Sequence, residues 1–132
     1  MGMIKDLWEI GKELFDISDK LKKQSTEKRE KLSNLLANVG GVIKDTYEQL
    51  SNNVYPGGNC QQLELFSDEL FEKTREVLGD LKARNLSDKL KQAHEVERLH
   101  SDINSGKVDK KELMLLDETS GYFMASSKLI LV

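Results

Sequence analysis

Apolar residues recur at three- and four-residue spacing along almost the whole chain, and no segment alternates strictly between apolar and polar side chains. That period matches one face of an α-helix and leaves no pattern for a half-buried strand. The first run is Ile4, Leu7, Trp8, Leu14, Phe15 and Leu21, with Gly11 and Ser18 filling the same stripe. Ile10 and Ile17 lie seven apart on a flanking line and widen it, so this helix is expected to touch more than one neighbour. Trp8 is expected in the core.

The second run, Leu32, Leu35, Leu36, Val39, Val42, Ile43, Thr46 and Leu50, follows an N-cap candidate at Ser25 or Thr26, with Glu27 and Glu30 in the positive first turn. Gly40-Gly41 interrupts this helix at about 1 kcal/mol per glycine relative to alanine. The simplest reading is a tolerated kink, with close approach of a neighbouring helix or a functional bend as the alternative. Residues 51–59 hold the only proline and the densest turn chemistry, so the chain leaves the helix there. Asn59 with Gln62 reads as a capping pair opening a third helix whose buried face is Leu63, Phe66, Leu70, Val77, Leu78 and Leu81. A break near Arg84 to Ser87 precedes a fourth helix carrying Leu86, Leu90, Ala93, Val96, Leu99 and Ile103. After Ser105-Gly106-Lys107, Asp109 with Glu112 and Val108 with Leu113 form a capping box and a hydrophobic staple. They start a fifth helix whose small residues Ser120, Gly121, Ala125, Ser126 and Ser127 admit a close-packed neighbour.

Short connections between long helices favour antiparallel neighbours. The expected fold is therefore all-α, an up-and-down antiparallel helical bundle of four principal helices plus a fifth or kinked one, forming a single domain over residues 1–132. A chain of 132 residues and 15.0 kDa can bury a core of its own without a disulfide or a structural metal.

Charge narrows the partners. Twenty basic and twenty-three acidic residues give a net charge of -3, evenly spread, whereas a duplex-binding domain carries a basic excess. The nearest approach, Lys20 to Lys31, interleaves its six basic residues with Glu27 and Glu30 and reads as a solvated helix end. Nucleic acid and membrane are not expected as partners, since no apolar run approaches the roughly 18 residues of a span. One cysteine, Cys60, cannot form an internal disulfide, and a cytoplasmic location is the expectation.

Each possible chemical site has a plainer explanation. Glu97 and His100 make one Glu-x-x-His motif of the kind that binds metal pairs in bundles, but Lys91 stands where His94 would need its glutamate. Ser101 to Glu112 resembles a calcium loop only if essential ligand positions are lost. Cys60 would lie in a helix first turn, where a thiol is activated, yet no base is placed beside it by the sequence. Gly57-Gly58-Asn59 lacks the Lys-Ser/Thr end of a phosphate loop. No cofactor, metal or catalytic residue is therefore expected.

The most distinctive surface candidate is the turn Tyr55, Pro56, Gly57, Gly58 and Asn59, where a tyrosine on a rigid turn could anchor a partner, unless it folds back onto the bundle. The resulting expectation is a non-enzymatic interaction, adaptor or regulatory module that binds another protein or itself as a homo-oligomer through an apolar helix face. The alternative is a ligand- or metal-binding bundle using His94, Glu97 and His100.

Overall fold

The computed structural model describes residues 2–91, 96–106 and 110–132, with side chains from residue 4 onward except those of residues 96–99. These residues form seven helices: α1 (Gly2–Asp16), α2 (Ser18–Leu21), α3 (Thr26–Ser51), α4 (Gly57–Leu78), α5 (Asp80–Lys91), α6 (Val96–Asn104) and α7 (Lys110–Leu129). The fold is an all-α bundle. Five long helices close a ring in the order α1, α7, α3, α4, α5 and back to α1.

Cross-helix contacts fix the direction of each pair. Ser33 meets Ser127 and Lys44 meets Asp117, so α3 and α7 are antiparallel. Lys28 pairs with Glu76 while Asn59 reaches Asp45, making α3 and α4 antiparallel. Arg75 with Asp80 and Ser87 with Ser67 fold α4 and α5 into a hairpin, and Lys89 with Glu9 and Lys82 with Glu13 set α5 against α1. A closed ring with an odd number of members cannot alternate throughout. One adjacent pair must run parallel, and it is α1 with α7: Ile4 lies beside Leu115, Trp8 beside Glu118 and Gly11 beside Tyr122 and Phe123.

The apolar stripes meet inside this ring. Leu7, Leu14, Leu36, Ile43, Leu63, Leu70, Leu86, Leu116 and Phe123 are buried in one continuous cluster drawn from every long helix. Buried threonines among them are satisfied by their own helices: Thr46, Thr74 and Thr119 each donate to the carbonyl four residues earlier at 2.6–2.7 Å.

Helix boundaries follow local chemistry. Ser25 caps α3, its Oγ accepting the Lys28 N–H at 3.3 Å, as its position implied. At the other end Asn53 takes φ 61°, its N–H bonding Leu50 O while the Val54 N–H bonds Gln49 O at 2.7 Å, a Schellman closure with asparagine in the left-handed position. The first helix is divided at Ile17, whose φ and ψ of -100° and 13° leave the helical range and start α2.

Three expectations are corrected. The break expected near Arg84 to Ser87 lies at Gly79, where φ 86° and ψ 158° suit glycine alone. Asn85, Leu86 and Ser87 sit inside α5, and Ser87 Oγ donates to Ser67 O at 2.8 Å to lock the hairpin. The earlier break moves Leu81 from the inner face of α4 to the outer face of α5, where it is 79% exposed. Gly40 marks the close approach of α7 to α3: a Cβ there would lie 3.0 Å from Met124 Sδ and 3.2 Å from Phe123 Cβ. Ser120 Oγ uses that closeness to reach Gly40 O at 2.8 Å.

Candidate interaction surface

The expected turn is divided by the fold into an inward and an outward half. Pro56 is buried at the N-cap position of α4, and helix begins at Gly57, three residues earlier than a capping role for Asn59 requires. Asn59 is only 8% exposed, and its Nδ2 donates to Asp45 Oδ2 at 3.1 Å and Thr46 Oγ1 at 3.2 Å on α3. Its amide therefore fastens the start of α4 to the end of α3. That removes it from the surface site, because α3 presents acceptors where the first-turn amides of α4 would otherwise have taken the side chain.

Tyr55 remains half exposed, with its ring folded across Gly57 and edge-on to His100 at a centroid distance of 5.6 Å. Gly58 opens to solvent. Of the five residues expected to form a binding turn, the structure thus leaves Tyr55 and Gly58 outward, with Gly57 partly covered by the tyrosine ring.

Cys60 follows in the first turn of α4 and is buried in the core cluster. The His100 Nε2 atom is buried with no hydrogen-bond partner among the described residues. His94 and the Glu97 side chain, like the Val108 and Asp109 of the expected staple and capping box, lie outside the described residues. Among those described, no group of three or more His, Cys, Asp or Glu side chains converges as a metal-ligand set, and no helix is long and apolar enough to cross a membrane.

The basic stretch at the start of α3 is tied into the bundle. Lys28 pairs with Glu76 and Lys31 with Glu27, while Arg29 donates to Ile130 O at 3.4 Å and covers the end of α7. The Lys28 ammonium, hydrogen-bonded to Glu76 and attracting its charge, holds that carboxyl below its ordinary 4.5. On the opposite edge of α3, the Asp117 carboxylate accepts a hydrogen bond from Lys44 and raises the ammonium above its ordinary 10.5.

A different surface carries the exposed apolar side chains. Along the parallel α1/α7 seam, Trp8 and Tyr122 stack edge-on at 6.2 Å, and Phe15 lies 5.6 Å from Tyr122 while remaining 37% exposed. Trp8 is half-buried, unlike the core residue expected, and donates through Nε1 to Glu118 Oε1 at 3.2 Å. Below this aromatic ladder a shallow groove of about 340 Å³ is lined by Ile4, Lys5, Trp8, Glu112 and Leu115.

The outer face of α7 continues the band with Met114, which is 59% exposed, followed by Gly121 and Ala125. Its small residues are divided between two faces. Ser120, Ser126 and Ser127 turn inward, and Ser33 and Ser127 each donate to the other's backbone carbonyl at 2.8 and 2.7 Å, drawing α3 and α7 together. Gly121 faces outward, with nothing within 4 Å of where a Cβ would sit. The terminal run is only partly covered: Ile130 is buried, whereas Leu129, Leu131 and Val132 remain exposed. In the sequence, the signal of this outer face is the even scatter of apolar residues around the helix.

No protein-family model matches this sequence, and no curated protein or solved structure shows significant similarity to it.

Proposed function

We propose that this chain is a non-enzymatic cytoplasmic interaction module, an adaptor or regulatory bundle that binds another protein, and most simply a second copy of itself, through an apolar helix face. The observation that carries this reading is the band along the α1/α7 seam, in which Trp8, Tyr122 and Phe15 pass from half-buried to exposed and Met114 extends the apolar surface over α7. Aromatic and methionine side chains are enriched at protein interfaces, where they bury large area with few rotatable bonds. The ion pairs of the other helices serve to hold the ring together, so they supply packing and not chemistry.

Light scattering over a concentration series, with and without chelator, tests the reading. A mass that rises towards twice 15.0 kDa and ignores chelator is the expected result. A mass that changes only when metal is added overturns it and transfers interest to His94, Glu97 and His100.

A further inference from the structure

The outward face of α7 packs against no other long helix among the described residues: α1 covers one flank and α3 the other. At 100° per residue, Met114, Glu118, Gly121, Ala125 and Lys128 fall within about 80° of one another around the helix. All are exposed except Ala125, which is half-buried.

Their order has a symmetry of its own about Phe123. Gly121 and Ala125 lie two residues to either side, small against small. Glu118 and Lys128 lie five to either side, acid against base. Met114 and Val132, the latter just beyond the helix end, lie nine to either side and are both apolar and exposed. A two-fold axis crossing α7 at the level of Phe123 therefore sets each member of a pair opposite the other member in the second copy.

Resting on the self-association proposed above, we infer that the occupant of this face is α7 of a second copy, antiparallel to the first, with Glu118 of each chain paired to Lys128 of the other. Gly121 and Ala125 at the crossing let the two helices approach closely, with Met114 and Val132 closing the ends of the contact. The charges are placed for it. Glu118 holds Trp8 through Oε1, which leaves Oε2 for a partner, and Lys128 makes no ion pair with any described residue. Charge complementarity of this kind selects the second copy in one register, because a parallel arrangement would set Glu118 against Glu118. Isologous pairing also doubles each contact, so two ion pairs and two small-residue contacts form per dimer.

The test is a charge exchange between chains. Glu118→Lys and Lys128→Glu each create two like-charge pairs and are expected to weaken self-association about tenfold or more. Both residues are exposed, and circular dichroism and melting of each variant verify the fold. An equimolar mixture of the two single variants is expected to recover the wild-type mass by sedimentation velocity, because in the mixed dimer both lysines of one chain face the two glutamates of the other, so both pairs are again opposite in charge. The double variant should recover it alone, since exchanging both charges restores two opposite pairs.

Single variants that dimerise as wild type does overturn this register and leave self-association through another face standing. Loss in both single variants without recovery in the double variant overturns the antiparallel pairing. A wild-type chain of 15.0 kDa at every concentration overturns the self-association itself.

Discussion

Two adjacent glycines in α3 should respond in opposite senses to the same substitution. Gly41 faces outward with nothing within 4 Å of where a methyl group would sit, so Gly41→Ala removes backbone freedom from the unfolded chain at no steric cost. The expected gain is about 0.5–1 kcal/mol. Gly40→Ala brings the same gain, but its methyl would lie 3.0 Å from Met124 Sδ and 3.2 Å from Phe123 Cβ. The methionine can swing aside. The Phe123 Cβ cannot, because it is bonded directly to the α7 backbone, so relief requires α7 to move away from α3. Overpacking of this kind costs about 1–3 kcal/mol. Moving α7 also stretches the 2.8 Å bond from Ser120 Oγ to Gly40 O, which contributes about 1 kcal/mol. Gly40→Ala should therefore be destabilised by about 1–3 kcal/mol, some 2–4 kcal/mol below Gly41→Ala, a separation of roughly 6–20 °C in melting temperature for a domain of this size. Urea titration at one protein concentration, with unchanged slope, measures it. A Gly40→Ala variant as stable as Gly41→Ala would refute the close approach of α7 at this position.

Three further outcomes follow from single contacts. Gly79→Ala should lose about 1–3 kcal/mol in thermal unfolding although nothing crowds its Cβ, because a φ of 86° with ψ 158° is strained for any L side chain; an unchanged melt would contradict that backbone geometry. Asn59→Ala should cost about 1–3 kcal/mol through the acceptors left on Asp45 and Thr46, and Asn59→Asp should be worse near neutral pH because it sets one carboxylate against another; equal stability of the two variants in urea would contradict that contact. The folded Glu76 carboxyl is depressed by Lys28, so its contribution is present above the ordinary 4.5 and lost as pH falls through the depressed folded value. Glu76→Gln should accordingly be slightly less stable than wild type at neutral pH, with the gap closing in acid and in high salt, as melting across pH would record.

What the sequence made legible is the part governed by period. The apolar positions of α1, α3 and the inner face of α4 through Leu70 are largely buried where their spacing puts them, and Ser25 caps α3. Boundaries set by a single dihedral were harder to read. Gly79 has one unremarkable glycine as its signal, whereas Asn85 and Ser87 look like turn residues until Ser87 finds Ser67 on the neighbouring helix. Asn59 shows the same limitation at the candidate site: its spacing to Gln62 fits a cap, but acceptors on α3, unreadable from local sequence, draw it inward. The parallel α1/α7 pair has no local signal at all. It arises from closing five helices into a ring, and it places Trp8, Phe15 and Tyr122 on one seam although Tyr122 is more than a hundred residues away in sequence from the other two.

Trp8 is the only tryptophan and its indole is bonded to Glu118 at the edge of the proposed interface, which makes it a reporter for that surface. Its emission should be followed on dilution in parallel with the sedimentation mass. Association through the α1/α7 face predicts that the emission shift and the fall from twice 15.0 kDa share one midpoint. A mass that halves while Trp8 emission stays constant would place the contact elsewhere, and a mass of 15.0 kDa at every concentration would contradict self-association altogether.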